Sequence, residues 1–257
     1  MEKRRLINRD SIHLRNVPGA EVEKIPLRHR AFNSNKRKKN ALQGGKTSST
    51  QVIHADWDKS PWQDIPSVML RYFMGRKPDH FPRTEVKLAW DDTAVYVIFR
   101  VAARYVRAVA RDHQGNVWED SCVEFFFTPD SDVSRGYFNL EMNCGGTMLL
   151  HFQRSRGKGR IIIPKEECNR ITAAHSLPRI DPEIEDPVRL DCCVFLPIIL
   201  LKKYCHVTTP SPGAAWRANF YKCGDRTSHP HWLTWAPVHS SKPDFHQPAS
   251  FGILQFE

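Results

Sequence analysis

The chain has 257 residues, of which 40% are hydrophobic, and it carries a formal net charge of +10 at pH 7. That length supports one sizeable core, so one folded domain with a tail is the simplest organisation. No apolar run in the sequence reaches the length of a membrane-spanning helix, which excludes an integral helical membrane protein and leaves no expected membrane partner.

The positive charge is concentrated at the start of the chain. Residues 1–50 hold 13 Lys and Arg against 4 Asp and Glu, a net +9, whereas the remainder holds 25 against 24, a net +1. We expect residues 1–50 to be a basic, disordered leader that ends in the glycine- and serine-rich linker 44–50. The basic run 36–39 could contact phosphates or act as a nuclear-import patch, so nucleic-acid contact is expected only through this leader. No apolar segment follows residues 1–10, so we expect no signal peptide and, by default, a cytoplasmic location.

Strands dominate the predicted elements from residue 51 onward. Residues 84–90 and 94–101 alternate apolar and polar side chains on either side of Asp91-Asp92-Thr93, which is typical of a β-hairpin. A short helical turn is predicted over 198–204, after Pro197. Further strands are predicted over 121–128, 137–144, 147–153, 188–196, 216–223, 231–235 and 251–256. Many short strands with 18 prolines predict an all-β fold, an antiparallel β-sandwich over residues 51–257.

Two predicted strands carry polar residues on one face and apolar residues on the other. Strand 137–144 alternates Tyr137, Asn139, Glu141 and Asn143 with Phe138, Leu140, Met142 and Cys144. Strand 216–223 alternates Arg217, Asn219 and Tyr221 with Trp216, Ala218 and Phe220. Because strand side chains alternate with period two, each strand buries one face and presents the other. Strand 121–128 is apolar on both faces except at Glu124, which suits a central strand. The polar rows indicate a recognition surface, and an ordinary solvent-exposed face is the alternative.

The seven cysteines form no Cys-x-x-Cys pair, which argues against a zinc knuckle or a thioredoxin-type motif. Cysteines inside predicted strands behave as small apolar residues, and their odd number favours a reducing compartment. Cys223, His229 and His231, with His246 downstream, form a separate zinc hypothesis, although Pro230 more simply shapes a turn there.

Three segments in this order resemble a known family. The first is 86–92 with the strand 95–97, and the last is Phe245-His246-Gln247-Pro248 with Phe251-Gly252. The middle segment, Val117-Trp118-Glu119-Asp120-Ser121-Cys122-Val123-Glu124, is the most specific. Together they resemble the family 9 carbohydrate-binding modules, and more closely their DOMON-like relatives, over residues 51–257. The resemblance implies a non-catalytic β-sandwich that binds a mono-, oligo- or polysaccharide. Such modules serve polysaccharide breakdown and are often joined to glycoside hydrolases.

The resemblance also implies which residues would hold the sugar. Trp118 matches the first aromatic side chain that stacks on the sugar, and Phe245 stands where the family has a second stacking Trp. The polar contacts expected from the strands are Glu124, Glu141, Asn143, Asn219 and Tyr221. Carboxylates and amides suit this role because each can bond two hydroxyl groups.

No cofactor is expected from the sequence. Some relatives bind calcium structurally, and hard cations of this kind need several oxygen ligands. After Val101 the relatives often carry an acidic residue, whereas this chain has Ala102-Ala103. The loss of that carboxylate argues against a calcium site.

Three other interpretations of the same residues remain open at this point. Glu124 and Glu141 could be the acid and base of a glycosidase, although sugar-binding sites use the same residues without catalysis. They could instead form structural ion pairs with Arg217. Haem is also bound by some DOMON-like sandwiches and would need an axial ligand such as Met142 or His151, but Met142 falls on the predicted core face.

Overall fold

The computed structural model describes residues 41–47 and 54–257 of the chain. The predicted basic leader lies outside these residues except for 41–47. Within the described residues the two α-helices, α1 Lys165–Cys168 and α2 Ile198–Leu201, are single turns, and none is long and apolar enough to cross a membrane. The strands are β1 Ala41–Lys46, β2 Val68–Met69, β3 Tyr72–Phe73, β4 Arg83–Trp90, β5 Ala94–Ala103, β6 Val106–Ala108, β7 Cys122–Thr128, β8 Tyr137–Asn143, β9 Met148–Gln153, β10 Ile161–Ile162, β11 Thr172–His175, β12 Ile180–Ile184, β13 Val188–Pro197, β14 Ala215–Cys223, β15 Trp232–Thr234 and β16 Gly252–Phe256.

The strands form a sheet that curls into two layers. The first layer runs β10-β9-β8-β7-β14-β16, with β15 and β3 beside the far end of β14. The second layer runs β4-β5-β13-β11, with β2 against β4. Neighbours within each layer are antiparallel, and a separate ribbon pairs β6 with β12. The structure therefore confirms the all-β, antiparallel β-sandwich prediction.

The main core lies between the two layers. Apolar positions of β4 and β5, such as Leu88 and Val97, face those of β7, β8 and β14. Phe125 stacks on Phe220 with ring centroids 5.0 Å apart, and Phe127 stacks on Trp216 at 5.5 Å. All of the apolar residues that alternate in the predicted strands 137–144 and 216–223 belong to this core. The period-two prediction for these strands is thus confirmed.

A second apolar cluster covers the outer face of the first layer. Phe126, Tyr137, Tyr221, Phe245 and Phe251 pack together there, so β7 is buried on both faces as predicted for a central strand. This cluster places apolar side chains next to the polar residues of the same face.

The predicted hairpin forms between β4 and β5. The Asp91 side chain accepts hydrogen bonds from the Thr93 N–H at 2.7 Å, the Thr93 hydroxyl at 2.7 Å and the Ala94 N–H at 2.9 Å. A side chain that caps its own turn in this way fixes where one strand ends and the next begins.

The first residues of the expected linker, Gly44, Gly45 and Lys46, belong to strand β1 of the sandwich instead. Residues 41–44 pair in parallel with β16, and Gly45 and Lys46 pair in parallel with β4, so β1 joins the two layers. A Cβ on Gly44 would lie 2.6 Å from the Leu88 side chain, and the Gly44 carbonyl accepts a 2.9 Å hydrogen bond from the Trp90 indole. Glycine is required here by close packing, which a sequence pattern does not distinguish from linker flexibility.

Candidate functional site

A cleft of about 550 Å3 opens on the outer face of the first layer, above β7, β8 and β9. Its volume falls in the range of small-molecule sites, about 300–1,000 Å3. Its walls combine aromatic rings, carboxyl groups and neutral amide or imidazole groups. These are Trp118, Phe126, Trp232 and Phe245; Glu124, Glu141, Asp225 and Asp244; and Asn139, Gln153, His151 and His246. The cleft thus brings together four of the seven residues predicted from the sequence, namely Trp118, Glu124, Glu141 and Phe245.

The floor of the cleft is a row of side chains on neighbouring strands. Glu124 on β7 lies directly opposite Glu141 on β8. The strand register therefore places the two carboxyl groups side by side on one face. Glu124 is 2% exposed and Glu141 is 5% exposed, yet both line the cleft, so they are within reach of a ligand that enters it.

A chain of amide and imidazole groups holds Glu141 in place. The Asn139 amide donates to Glu141 Oε1 at 3.0 Å, and the Gln153 amide donates to Asn139 Oδ1 at 3.0 Å. The Tyr137 hydroxyl lies 2.9 Å from His246 Nδ1, and burial lowers the pKa of His246 to about 4. The Gln153 amide nitrogen lies 3.3 Å from the same His246 Nδ1. Because an amide nitrogen can only donate, the neutral imidazole accepts at Nδ1 and carries its proton on Nε2. These connected groups orient the cleft floor before any ligand arrives.

Three acids of the cleft, Glu124, Glu141 and Asp225, have raised pKa values and so hold their protons more tightly than ordinary acids do. Burial, together with Cys223 and Glu141, raises the pKa of Glu124 well above its usual value. Burial raises the pKa of Glu141 to about 7, against the lowering effect of the Asn139 hydrogen bond, and Asp225 adds to the rise. Burial also raises the pKa of Asp225. A protonated carboxyl group can both donate and accept, which matches it to hydroxyl groups.

Trp118 stands in a short turn between β6 and β7 rather than in a strand, as the sequence predicted. The 3₁₀ turn Val117–Glu119 carries it, and its ring is partly buried against the outer apolar cluster. The Trp118 carbonyl accepts from the Asp225 N–H at 3.2 Å and lies 3.5 Å from the Cys223 sulfur. The turn is also tied to the sheet by Asp120, which is 1% exposed.

Trp232 is a second indole of the cleft, and it was missing from the sequence-based set of site residues. It lies on β15 opposite Cys223, which places it on the cleft face, and its indole N–H donates to Asp225 Oδ1 at 2.8 Å. The sequence shows an alternating strand here. Only the register of β15 on β14 reveals that the Trp faces the same side as Glu124.

Phe245 lines the cleft with one side of its ring already covered. It stacks on Tyr221 with ring centroids 4.1 Å apart, and the Tyr221 hydroxyl donates to the Phe245 carbonyl at 3.1 Å. Tyr221 is fully buried and does not line the cleft. Tyr221 therefore supports the Phe245 ring from behind and does not contact a ligand in the cleft.

The two remaining predicted contacts, Asn143 and Asn219, have their side chains engaged inside the protein. The Asn143 amide donates to Asp120 at 2.9 Å, and its oxygen accepts from the Thr147 N–H at 2.9 Å. The Asn219 amide donates to the Ala236 carbonyl at 3.1 Å and its oxygen accepts from the Ala236 N–H at 2.9 Å. Neither residue lines the cleft, and the hydrogen bonds of both side chains order loops against the sheet.

Arg217 is engaged away from the floor acids, and the two candidate haem ligands lie on opposite faces of the sheet. Arg217 donates to the backbone carbonyls of Phe251 and Gly252, so it is not the partner of the floor acids. Met142 lies in the main core, whereas His151 lines the cleft on the opposite face, so the two cannot approach one haem iron together.

The side chains that converge as possible metal ligands differ from those expected for zinc or calcium. Among the described residues, the group of His, Cys, Asp or Glu side chains that converges for a metal is Cys122, Glu124 and Cys223, without His229 or His231. Two of these three ligands are thiols, whereas calcium takes oxygen ligands. This group therefore does not fit calcium.

The raised pKa of Glu141 predicts a pH-dependent cost to stability. Between its unfolded value of about 4.3 and its folded value of about 7, the unfolded chain loses a proton that the folded chain keeps. Fewer protons on the unfolded state mean that stability falls as pH rises through this window. We expect Glu141→Gln to stabilise the protein by about 2 kcal/mol more at pH 8 than at pH 5. Urea unfolding of both proteins at both pH values measures this. An equal difference at the two pH values would contradict it.

Comparisons with known proteins agree with this architecture. A family model described as carbohydrate-binding family 9 matches residues 49–256. A protein of Bacteroides uniformis ATCC 8492 inferred to bind carbohydrate is 28% identical, with a TM-score of 0.77 over 86% of this chain and 100% of its own. A family 9 module of Caldicellulosiruptor kristjanssonii, solved with glucose, is 12% identical, with a TM-score of 0.55 over 84% of this chain and 95% of its own. Its cellotriose complex gives the same values, with 93% of its own chain covered. Among curated proteins, none shows a significant sequence match.

Proposed function

Because this chain belongs to carbohydrate-binding family 9, we propose that its cleft binds a pyranose sugar without cleaving it. This proposal rests on one observation: a single cleft contains partly buried indole rings and a row of carboxyl and amide groups held in place by hydrogen bonds. Sugar-binding sites need both of these features at once, because a pyranose is apolar on its faces and polar around its edge.

The aromatic wall supplies the apolar contact. A pyranose presents a face of C–H groups, which packs on a flat aromatic ring and removes apolar surface from water. We assign the main stacking role to Trp118. Trp232 provides a second indole in the same cleft, while Phe245 can offer only the ring face that Tyr221 leaves uncovered. The family's second stacking Trp is therefore replaced in part by a Trp from β15.

The floor supplies the hydrogen bonds. Glu124 and Glu141 can each contact a hydroxyl group from below, and the His246 Nε2–H is a further donor in the cleft. These groups are already held by their neighbours, so little conformational entropy is lost when a ligand binds.

The arrangement of the two acids supports binding rather than hydrolysis. Glycosidases place their two carboxyl groups on either side of the scissile bond. Glu124 and Glu141 lie directly opposite each other on adjacent strands, so both approach a bound sugar from the same side. We propose a non-catalytic role that serves polysaccharide breakdown, with glucose-type oligosaccharides as the first ligands to test because relatives of this fold were solved with glucose and cellotriose.

Isothermal titration calorimetry of the whole chain with glucose and cellotriose tests this proposal. We expect saturable binding of at least one of them and no release of glucose from cellotriose during prolonged incubation. A glycan array that shows no sugar bound, with both titrations flat, would overturn the proposal. Cleavage of cellotriose would overturn its non-catalytic part.

Glu141 provides the sharpest test of the floor. We expect Glu141→Ala to weaken sugar binding by about 1–3 kcal/mol, the usual loss when a hydrogen bond to a carboxyl group is removed. Glu85→Ala, which changes the same residue type on the second layer, is the matched control and should leave the affinity unchanged. Equal affinities of wild type and Glu141→Ala in calorimetry would remove Glu141 from the site.

A further inference from the structure

Three side chains with metal-binding atoms converge at the floor of the cleft. The Cys122 thiol, the Glu124 carboxyl group and the Cys223 thiol all lie within 4.8 Å of one another. The Cys223 thiol already donates to Glu124 Oε1 at 3.0 Å. Ligand atoms around a tetrahedral zinc ion lie at similar separations, since each is only about 2.0–2.3 Å from the metal. A small inward adjustment of side chains would therefore suffice to enclose an ion.

The sheet itself fixes this arrangement. Cys122 and Glu124 are two residues apart on β7, so they share a face, and Cys223 on β14 lies directly opposite Cys122. All three are almost fully buried, at 0%, 2% and 1% exposed. Ligands on paired central strands are held more rigidly than ligands on loops, which is what a preorganised metal site requires.

A buried cation behind β14 balances the charge that such a site would carry. Lys222 is 1% exposed, and its ammonium group lies 2.6 Å from the Cys223 carbonyl and 2.9 Å from His231 Nε2. His231 Nδ1 lies 2.9 Å from the His229 carbonyl. Because a neutral imidazole that donates at Nδ1 accepts at Nε2, Lys222 is the donor to His231. No ion pair of the described residues involves Lys222.

From this geometry we propose that Cys122, Glu124 and Cys223 bind a thiophilic divalent cation, of which Zn2+ is the best match. Two thiolates and one carboxylate with a zinc ion leave one net negative charge, which the Lys222 ammonium offsets. Sulfur ligands select zinc over the hard cations magnesium and calcium. Cys223 and Glu124 line the cleft, so the fourth position of the metal faces the space where a water molecule or a sugar hydroxyl can bind.

Loading the metal releases protons. Both thiols must give up their proton to solvent, and so must Glu124 if it is protonated, so binding strengthens as pH rises. Burial raises the pKa of Cys122 to about 12, and the charge of Lys222 acts in the opposite direction. Glu141 on β8 and Asp225 after β14 are the other titratable groups beside Glu124 on the cleft side.

Cobalt titration of the whole chain tests the site. The protein is first treated with a thiol-free reductant and a chelator, and then titrated with Co2+ while absorbance is recorded. We expect stoichiometric binding with thiolate-to-cobalt charge-transfer bands and the strong visible bands of four-coordinate cobalt, both removed by added Zn2+. Mass spectrometry of the folded, reduced protein gives a second measurement: after zinc is added, the chain should gain the mass of one zinc ion.

Variants separate this site from other thiols. Cys223→Ala and Cys122→Ala are expected to weaken cobalt binding by more than about 100-fold, beyond the loss typical of an outer-shell change. Cys193→Ala, at an equally buried thiol on β13, should bind as the wild type does. The proposal is overturned if the reduced wild type shows no charge-transfer bands, or if Cys223→Ala binds cobalt like Cys193→Ala. Because the metal is observed directly, the outcome does not depend on whether the sugar proposal holds.

Discussion

Replacing Trp118 by alanine is expected to abolish measurable sugar binding while the sandwich stays folded. The ring is partly buried and lines the cleft, and indole anchors of this kind contribute about 2–4 kcal/mol to binding. Weak sugar binding would then fall below detection in calorimetry. The cost to stability should be about 1–2 kcal/mol, since only part of the side chain is removed from water. A domain with about 5–15 kcal/mol of stability tolerates such a loss, which urea unfolding would measure.

Trp57→Ala is the matched control for that experiment. Trp57 packs on the outer face of the second layer, where the Lys87 ammonium lies 4.3 Å from its ring centroid. Its loss should lower stability at least as much but leave sugar affinity unchanged in the folded protein. If Trp118→Ala binds sugar like the wild type, the stacking assignment is wrong. If it unfolds the protein, Trp118 belongs to the core.

Asp120→Ala should cause the largest loss of stability among the substitutions considered. The carboxylate is 1% exposed and accepts four hydrogen bonds of 2.9–3.0 Å, from Arg107 Nε, the N–H groups of Val109 and Ala110, and the Asn143 amide. Alanine would leave these donors without their acceptor in a buried place. We expect a loss of about 3–5 kcal/mol in the free energy of unfolding, as when one partner of a buried charged network is removed.

The matched control for Asp120 is an exposed aspartate, Asp132, that also accepts a hydrogen bond from a backbone N–H. Asp132 accepts a 2.9 Å hydrogen bond from the Ser134 N–H in an exposed turn, where water can replace it. Its substitution by alanine should cause a clearly smaller change in the urea midpoint than Asp120→Ala. Similar midpoints for the two variants would show that the buried network carries little stability.

Alternation along the strands predicted the faces of the sheet correctly. Glu124, Glu141, Asn143, Asn219 and Tyr221 all lie on the outer face of the first layer, opposite the main core. The pattern could do this because the side-chain period of a strand is a property of the backbone. The predicted faces therefore do not depend on which loops cover the sheet.

The pattern could not predict which polar residues of that face remain available to a ligand. Availability depends on the loops that cross the face. The segment that carries Phe245 covers Tyr221, and the backbone at Ala236 engages Asn219. The place of Trp232 in the site could not be predicted either, because only the pairing of β15 with β14 places it beside Cys223. These contacts join positions distant in sequence, and a single sequence does not specify them.

The parallel strand shared by both layers sets a practical boundary for protein production. A shortened version starting at residue 51 would omit β1 and so leave unpaired the edges of β16 and β4 that β1 covers. Bare backbone edges of this sort recruit strands from other molecules and promote aggregation. Expression plasmids and fusion partners should therefore be joined upstream of residue 41.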